Sequence, residues 1–428
     1  LVLYTATRAG GGVLALDVDG AMTLLDQESI AAGTTLPAPA GLDLLTINGA
    51  PHLVVSGANQ AGVRTLALQA DGALVAGLQL PGSLSGTICA QTVVNLGGAT
   101  FFYAARPGEA TIHVYSVAPG GAMTQLAPRV IAGPQNGIDI SAMTSVTVGG
   151  ETYLISLSLA ADVVRAFRIQ PDGTLGAPTM LGVPQGLGMA NPSDVEVVEV
   201  GGRSYLVVAS SGSSSVSVIE IAAGGIMRAA DHVIDTLDTR FQGVQAVETL
   251  AIGDRVLVIA GGADGGITVM LLTPEGQLLQ VGQHLQLPGL ALQNITAMAA
   301  RVVDGRIDLF VAGEGAGITR LQIDPGPLAP MILGGGEAAS LTGGAAGEFF
   351  LGGYGDETIR GEGGADILAD GGGSDVLYGG AGADLFVLSA DGALDTIADF
   401  QLGLDRIDLS AWGPIHSLAS LTITATAT

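Results

Sequence analysis

Lysine is absent from the sequence. All 15 basic residues are arginine, they are set against 40 acidic residues, and the formal net charge is −25. Such a balance repels nucleic acid and anionic membrane surfaces and attracts divalent cations. We therefore expect no nucleic-acid partner, and we expect metal ligands among the acidic residues.

Cysteine and aromatic residues are also rare. Cys89 is the one cysteine, so no disulfide can form within the chain, and its apolar neighbours predict a buried, unreactive thiol. Aromatic residues make up 4% of the chain, which argues against a carbohydrate site built on stacked rings. No apolar run is long enough to cross a bilayer, so no membrane span is expected.

Glycine is abundant instead, with 67 residues in a chain that is 48% hydrophobic. Asn, Asp, Pro and Ser accompany the glycines at regular intervals. Turn residues spaced in this way between short apolar runs are typical of an all-β chain. The length of 428 residues allows two or more domains. The sequence therefore predicts an all-β protein with a large core.

One short marker recurs about every fifty residues through the first three quarters of the chain. It consists of an acidic or small residue, then glycine, a variable residue, and leucine or methionine. This period is the one expected of propeller blades. The seven copies are Asp19-Gly20-Ala21-Met22, Asp71-Gly72-Ala73-Leu74, Gly120-Gly121-Ala122-Met123, Asp172-Gly173-Thr174-Leu175, Gly224-Gly225-Ile226-Met227, Glu275-Gly276-Gln277-Leu278 and Pro325-Gly326-Pro327-Leu328.

Strands flank each marker, which is itself a hairpin signal. Four strands per unit and seven units predict a seven-bladed β-propeller over residues 1–335. The first unit is short, because residues 1–7 match the second strand of the other units. Either residues upstream of Leu1 supply its inner strand, which we expect, or a segment after Leu328 closes the ring.

The blade sequences resemble the lactonase-like propellers, a broad group that includes bacterial phosphogluconolactonase-like and surface-repeat proteins. The resemblance is carried by segments such as the one from Val164 to Leu175, which reads VRAFRIQPDGTL. These residues form turns and core. The resemblance therefore implies the propeller fold and says little about activity.

A second, shorter period begins near Gly343, within a predicted domain at residues 336–428. The nonapeptide Gly-Gly-x-Gly-x-Asp-x-apolar-x occurs five times in tandem with varying fidelity. The copy at residues 379–387 fits throughout, whereas the copy at 370–378 departs at its first position, which is Asp370. The copies at 352–360 and 343–351 carry Glu357 and Glu348 in place of the aspartate.

Each part of this nonapeptide has a physical role. The glycines let the backbone turn through positive φ and bring carbonyl oxygens near an ion, and the carboxylate completes the all-oxygen shell that Ca²⁺ prefers. Two nonapeptides make one turn of a parallel roll, so repeats two apart stack. This predicts pairing of Asp366 with Asp384, Glu357 with Asp375, and Glu348 with Asp366. The predicted calcium ligands are Gly353, Gly355, Glu357, Gly364, Asp366, Gly371, Gly373, Asp375, Gly380, Gly382, Asp384 and Asp395.

The repeats and the segment after them resemble repeats-in-toxin proteins of the hemolysin type. The segments at residues 395–400 (DTIADF) and 403–410 (GLDRIDLS) are similar to the region that caps the roll in that family. There Asp395 would be a further ligand, and Asp399, Asp405 and Asp408 would hold capping turns. The resemblance implies a secreted or surface-located bacterial protein with Ca²⁺ as cofactor, exported by type I secretion machinery.

Catalytic residues are not evident in the sequence. The five histidines are scattered, no His-Glu-x-x-His motif exists, and no Gly-x-Ser-x-Gly nucleophile elbow is present. Acidic and amide residues near the starts of inner strands could form a catalytic group at one mouth of a propeller channel, but we favour the interpretation that they cap turns or line a solvated channel. These are Asp139, Asp194, Glu196, Glu248 and Asn294. Arg165, Arg168, Arg203 and Arg255 are predicted on exposed strands or turns.

Two hypotheses follow for the function. In the first, the protein is a secreted, calcium-dependent structural, surface or binding protein without catalytic activity. Its propeller would be a platform for cell-surface or self-assembly partners. In the second, it is a secreted lactonase-like propeller hydrolase with the β-roll as its export module. Acidic residues gathered around a metal in the propeller channel would favour the second.

Overall fold

A computed structural model describes most of the chain. The described ranges are 2–6, 12–29, 39–57, 63–79, 87–131, 140–237, 239–285, 292–313, 318–324, 328–335 and 338–412. These residues form two compact units. The first comprises Leu1–Leu250, Val256–Arg301 and Asp308–Leu321, and the second comprises Ala251–Arg255, Val302–Ile307 and Gln322–Thr428. Within the described ranges, no helix has the length and apolar composition needed to cross a membrane.

The strands of the propeller follow one another in small antiparallel sheets, each ordered as in the sequence. Seven such sheets form the blades, which confirms the predicted seven-bladed β-propeller. The strands are β1 (Val2–Ala6), β2 (Gly12–Asp17), β3 (Thr23–Ser29), β4 (Pro39–Ile47), β5 (Ala50–Gly57), β6 (Arg64–Leu68), β7 (Leu74–Gln79), β8 (Ala90–Leu96), β9 (Ala99–Ala105), β10 (Thr111–Val117), β11 (Met123–Gln125), β12 (Arg129–Val130), β13 (Ile140–Val148), β14 (Glu151–Ser158), β15 (Val163–Ile169), β16 (Leu175–Gly182), β17 (Pro192–Val200), β18 (Arg203–Ser210), β19 (Ser215–Ala222), β20 (Ile226–Ile234), β21 (Ala246–Ile252), β22 (Arg255–Gly261), β23 (Gly266–Leu272), β24 (Leu278–Leu285), β25 (Ile295–Val303), β26 (Arg306–Gly313) and β27 (Ile318–Ile323).

Apolar side chains from neighbouring blades interlock to form the propeller core. Between blades five and six, for example, Val207 and Val218 pack in one cluster with Val258 and Met270. Similar clusters lie between each earlier pair of neighbouring blades. The second and third strands of a blade are covered on both faces. That is why they read as continuous apolar runs rather than alternating ones.

Both packing and turn geometry require glycine in the recurring marker. Gly173 has φ of +85°, and a Cβ there would clash with the ring of Phe101 from the preceding blade. The Tyr103 hydroxyl of that blade also donates to the Gly173 carbonyl at 2.8 Å. Gly276 repeats the arrangement against the ring of Tyr205, whose hydroxyl donates to the Pro274 carbonyl. The marker therefore joins each such blade to its neighbour.

Blade seven meets blade one through a buried ion cluster. The Asp308 carboxylate, 1% exposed, pairs with Arg301 at 3.0 Å and Arg320 at 2.7 Å. Arg301 in turn donates to the Val18 carbonyl at 3.2 Å, and Arg320 donates to the Gly20 carbonyl. Both backbone acceptors belong to blade one, so these contacts close the ring.

The second unit contains a parallel β-roll built from two sheets, with strand orders β28-β30-β32-β34-β36 and β29-β31-β33-β35. Strands two apart in the sequence pair in parallel, with Phe350 beside Leu368 and Leu368 beside Phe386. Their inward side chains form the core of the roll. The strands are β28 (Leu328–Leu333), β29 (Ser340–Thr342), β30 (Gly347–Leu351), β31 (Thr358–Arg360), β32 (Ile367–Ala369), β33 (Val376–Tyr378), β34 (Leu385–Val387), β35 (Thr396–Ile397) and β36 (Arg406–Asp408).

Some details of the sequence prediction were wrong. Blade one has three strands in the described residues, as its short first unit predicted, and blade seven has three where four were expected. The strand Leu328–Leu333 does not close the ring, because it pairs in parallel with Gly347–Leu351 of the roll. The marker at residues 325–327 lies outside the described residues.

Three side chains are also placed differently from their predictions. Arg255 is half-buried rather than exposed. Arg165 is 2% exposed rather than on a solvated surface, because β15 is covered on both faces. Cys89 is half-buried rather than fully buried, and its thiol lies 3.4 Å from the Ala105 carbonyl. Arg168 and Arg203 are exposed as expected.

Candidate metal centre

The turns of the roll place one carboxylate from each repeat in a column. Along one side, the backbone N–H of Glu348 donates to Asp366 Oδ1 at 2.7 Å, and that of Asp366 donates to Asp384 Oδ1 at 2.9 Å. The N–H of Asp384 donates to Asp405 Oδ1 at 3.1 Å. Each carboxylate therefore spans two stacked turns, because repeats two apart lie directly beside each other.

A second column runs along the opposite side of the roll. The backbone N–H of Glu357 donates to Asp375 Oδ1 at 2.6 Å, and that of Asp375 donates to Asp395 Oδ1 at 3.1 Å. Glu357 also accepts from the Gly353 N–H at 3.0 Å through Oε2. The predicted ligands Glu357, Asp375 and Asp395 thus lie in one column, and Asp366 and Asp384 lie in the other.

Four carboxylate oxygens in these columns are buried without a hydrogen-bond partner in the described structure. They are Glu357 Oε1, Asp366 Oδ2, Asp375 Oδ2 and Asp384 Oδ2. Their residues are each 1% exposed. An anionic oxygen removed from water without a partner is unfavourable by several kcal/mol, on the order of the cost of an unpaired buried charge. A bound cation removes this cost.

Loop glycines lie close to the backbone carbonyls of the turns stacked on them. A Cβ on Gly382 would clash with the Gly364 carbonyl, and a Cβ on Gly373 would clash with the Gly355 carbonyl. Both Gly373 and Gly382 have φ in the left-handed region, at 116° and 148°. No other residue type fits where carbonyls of stacked turns approach so closely.

The remaining predicted glycine ligands lie in the same loops. A Cβ on Gly371 would lie 2.3 Å from the Gly353 carbonyl oxygen, and a Cβ on Gly380 would lie equally close to the Glu362 carbonyl oxygen. Gly364, with φ of 122°, lies against the Ala346 carbonyl. The predicted glycines therefore line the stacked turns beside the carboxylate columns.

The titration of these carboxyls reflects their surroundings. Burial, with added repulsion from neighbouring carboxylates, raises the pKa of Asp366 to about 7 and that of Asp375 to about 6. Burial also raises the pKa of Asp384. Without a cation, these three carboxyls therefore hold a proton to a higher pH than an exposed aspartate does. The donor set of carboxylate and carbonyl oxygens fits Ca²⁺, which favours six to eight hard oxygen ligands.

Three residues of this region were missed or given a lesser role from the sequence. Asp370 was noted as a departure from the repeat, and the structure places it against Asp375 and Asp395. Asp405 was expected to hold a capping turn; it accepts from the Gln401 N–H at 2.7 Å and also extends the column of Asp384. Asp399 accepts from the Gly379 and Gly380 N–H groups. For Asp399 and Asp405, the available sequence signal was that aspartates continue to recur after the last repeat.

The propeller has a separate cavity at its centre, with a volume of about 520 Å³. Its lining comes from the inner strands β4, β8, β13, β17, β21 and β25, together with residues of β1, β26 and β27. Asp194 and Glu196, both named from the sequence, line it, and so do Asp43 and Gln91, which were not. Asn294 lies in a turn before β25 with φ of 46°, and Asp139 lies outside the described residues.

The carboxyls at this cavity are strongly perturbed. Burial raises the pKa of Asp43 to about 6 and, with repulsion from Asp194 and Glu248, that of Glu196 to about 8. Glu248, also named from the sequence, is not among the lining residues, and burial raises its pKa to about 7. Burial raises the pKa of Asp194 as well. Asp194 Oδ2 and Glu248 Oε1 accept backbone N–H groups of the next blade, from Val247 at 3.1 Å and Ala300 at 3.2 Å.

Comparison with known proteins defines the class of each unit. A family model described as the RTX calcium-binding nonapeptide repeat (4 copies) matches residues 351–386. This segment carries RTX calcium-binding repeats, and it coincides with the stacked turns of the roll. No curated protein matches the chain by sequence.

Solved structures share the propeller fold at low sequence identity. A periplasmic gluconolactonase of Pseudomonas aeruginosa aligns with a TM-score of 0.53 at 16% identity, covering 76% of this chain and 95% of its own. A functionally unknown protein from Desulfotomaculum acetoxidans gives 0.52 at 13%, covering 75% and 95%. A protein from Lactobacillus plantarum gives 0.51 at 17%, covering 75% and 94%. The propeller thus has gluconolactonase-like structural neighbours, and at these identities the likeness concerns the fold.

Proposed function

We propose that this protein is a secreted bacterial calcium-binding protein whose roll folds around Ca²⁺ and whose propeller is an interaction platform. The observation that carries the proposal is the set of four buried carboxylate oxygens without hydrogen-bond partners in the roll. They lie within or beside a segment of RTX calcium-binding repeats. The residues that would hold the ions are those of the two columns, Glu348, Glu357, Asp366, Asp375, Asp384, Asp395 and the loop glycines around them.

Calcium would act here as a folding ligand. Its charge would neutralise carboxylates that otherwise stack at close range and repel, and binding free energy would become folding free energy. Extracellular fluid supplies Ca²⁺ at concentrations that weak sites can use. Export by type I secretion machinery before the roll folds, followed by folding outside the cell, fits this dependence. Cell-surface or self-assembly partners would then bind the propeller.

Hydrogen exchange on the full chain, with calcium and with EGTA, tests this proposal. Amides of β30 to β34 should be protected in calcium and exchange rapidly in EGTA, because the small core of the roll cannot offset the repulsion of its carboxylates. Amides of β14, β18 and β22 should stay protected in both, because the propeller has its own core. They serve as the internal control. Equal protection of the roll in both conditions would refute the proposal.

A second candidate function is favoured by one specific observation in the propeller. The central cavity of about 520 Å³ is lined by carboxyls, among them Asp43, Asp194 and Glu196. Carboxyls with raised pKa in a cavity are the groups that general acid–base catalysis uses. The alternative is therefore a secreted lactonase-like hydrolase in which the roll serves export.

Hydrolysis of a panel of sugar lactones by the calcium-loaded full chain separates the two functions. The hydrolase alternative expects turnover that Glu196→Gln reduces by at least about a hundredfold, in the range lost with an acid–base group. Glu199→Gln provides the matched control, because Glu199 lies on the same strand but is exposed. Absence of turnover, or equal loss in both variants, would remove the alternative and leave the platform.

A further inference from the structure

Three carboxylates meet at the end of the second column of the roll. Asp370, Asp375 and Asp395 each offer one oxygen atom, and these atoms lie within 4.8 Å of one another. Asp370 and Asp375 are buried, at 2% and 1% exposed, and Asp395 is half-buried. Among the described residues, this is the one group of three metal-ligating side chains drawn so close together.

The protein already holds these carboxylates in place. Asp370 Oδ1 accepts from the Gly371 N–H at 2.7 Å, and both its oxygens accept from the Ser389 N–H at 2.9 and 3.0 Å. Asp395 Oδ1 accepts from the Asp375 N–H. The group is therefore oriented by backbone donors before any ion arrives, which favours binding.

An independent observation indicates that a ligand is missing from this group. Asp375 Oδ2 is buried and has no hydrogen-bond partner, whereas Asp375 Oδ1 accepts the Glu357 N–H. A carboxylate of a 1% exposed residue is rarely left with an unpaired oxygen. The ion pairs in the described part of the chain involve none of the three carboxylates. Their charge is left for an external cation.

The composition of the group differs from that of the repeats. The first position of the nonapeptide is glycine in the other copies, at Gly343, Gly352, Gly361 and Gly379, and is Asp370 here. The turn stacked on this repeat runs through residues 388–395 (LSADGALD), which lack the repeated glycines. That turn therefore lacks the glycine pattern that brings carbonyls close in the regular repeats, and the repeat stacked on it carries an extra side-chain carboxylate, Asp370.

We propose that Asp370, Asp375 and Asp395 form a three-carboxylate cation site that binds Ca²⁺ more tightly than the sites of the regular repeats. The inference rests on the proposed function, because it assumes that the roll binds calcium. The reason is the number of anionic ligands: in oxygen-ligand sites, affinity for Ca²⁺ rises with ligand charge and with rigidity. A site with three oriented carboxylates exceeds a consensus site in both respects.

Calorimetric titration of the metal-free full chain with CaCl₂ tests the site. The wild-type chain should show a tight class of sites ahead of a weaker class. Asp370→Asn should weaken the tight class by about tenfold or more, in line with the effect of ligand charge on such sites, and Asp395→Asn should weaken the same class. Asp391→Asn is the matched control, because Asp391 lies in the same turn and accepts backbone N–H groups but is not in the group.

A further variant and a folding control complete the experiment. Asp370→Gly restores the residue found in the other repeats, so its turn should fold, and it should lose the tight class as Asp370→Asn does. Circular dichroism in saturating calcium verifies folding of each variant. Tight binding that persists in both Asp370 variants, or that weakens equally in Asp391→Asn, overturns the three-carboxylate site. A wild-type chain that binds no calcium overturns the proposed function instead.

Discussion

Buried carboxyl groups occur in two settings in this molecule, and their chemistry differs accordingly. In the roll, Asp366 and Asp384 accept one backbone N–H each and leave a second oxygen unpaired. In the propeller cavity, Asp194 accepts backbone N–H groups through both oxygens. A buried oxygen without a donor can be stabilised by a cation, which is the role proposed for the roll carboxylates. The oxygens of Asp194 are already paired, so a proton is the simpler way to neutralise its charge.

Glu196 provides a test of the proton-holding setting. Its pKa is raised from its usual value to about 8 by burial and by repulsion from Asp194 and Glu248. The folded state therefore binds a proton that the unfolded state releases, so stability is lost as the pH rises from the unfolded pKa through the folded one. Glu196→Gln removes that loss. After allowing for solvent in the cavity, we expect the variant to be about 1–3 kcal/mol more stable than the wild type near pH 9.

Urea unfolding near pH 5 and near pH 9, at constant calcium, measures this difference. The stability gain of Glu196→Gln should be small at the lower pH and grow across the window between the two pKa values. The exposed neighbour Glu199 gives a control variant, Glu199→Gln, with no growing gain expected. A gain that is constant with pH would show that Glu196 does not titrate in this window.

Single elements of the fold are stabilised in contrasting ways. Roll strands such as β31 and β33 have only three residues and bury one side chain each, so they depend on their stacked neighbours. Propeller strands such as β18 have eight residues and are covered on both faces. Tyrosine hydroxyls of the preceding blade also hydrogen-bond to carbonyls of some of the hairpin turns.

The turn at Gly173 separates backbone strain from packing. Gly173→Ala places a Cβ against the Phe101 ring at a φ of +85°, whereas Gly150→Ala has a similar φ of +78° and meets nothing within 4 Å. Strain alone at a left-handed position is unfavourable by about 1 kcal/mol. With the clash added, Gly173→Ala should lose about 2–4 kcal/mol. Denaturant unfolding of both variants measures the difference, and equal losses would show that the ring moves aside freely.

The sequence predicted the repeating elements well, because each repeat carries its own local signal. The Asp-Gly turn and the nine-residue phase of Ile359, Leu368, Leu377 and Phe386 depend on neighbours close in the chain, so the propeller and the roll were both predicted. Features that depend on contacts between distant turns were not. The role of Asp370 depends on Asp395, which lies in a turn outside the repeat pattern.

The same reason explains the misplaced arginine and the missed cavity residues. Arg165 was predicted to be exposed because an arginine is rarely buried, but a propeller strand has a neighbour on each face, and β15 is buried at nearly every position. Asp43 and Gln91 lie on inner strands, and only closure of the ring brings them to the cavity with Asp194. The order of polar and apolar residues along one strand cannot show which side chains of different blades come together.

At the scale of the whole molecule, the interior of each unit is stabilised in a different way. The roll has a narrow apolar core and acidic turns, and we propose that a bound ion stabilises it. The propeller has a large core between blades, but a ring of blades must also be closed where its ends meet. In the described residues, that junction is formed by charged side chains of blade seven, Asp308, Arg301 and Arg320. The two arginines donate hydrogen bonds to backbone carbonyls of blade one.

Closure of the ring can be tested through Asp308. The variant Asp308→Asn removes the charge between Arg301 and Arg320. Arg320 then loses the carboxylate it pairs with, and Arg301 keeps only the more distant Asp19 at 3.6 Å. Removing one partner of a buried ion pair is unfavourable by about 3 kcal/mol or more. The arginines hold the Val18 and Gly20 carbonyls, so blade one should also loosen. We therefore expect a lower unfolding temperature and faster hydrogen exchange in β2 and β3.

The matched control is Asp324→Asn, because Asp324 pairs with Arg306 at 3.5 Å while both side chains are more than half exposed. A surface pair of this kind contributes less than about 1 kcal/mol, so this variant should melt close to the wild type. Exchange in blade four, at β14 and β15, should be unchanged in both variants, since it lies far along the ring from the junction. If Asp308→Asn lowers the unfolding temperature without faster exchange in β2 and β3, the ion cluster stabilises blade seven alone and does not close the ring.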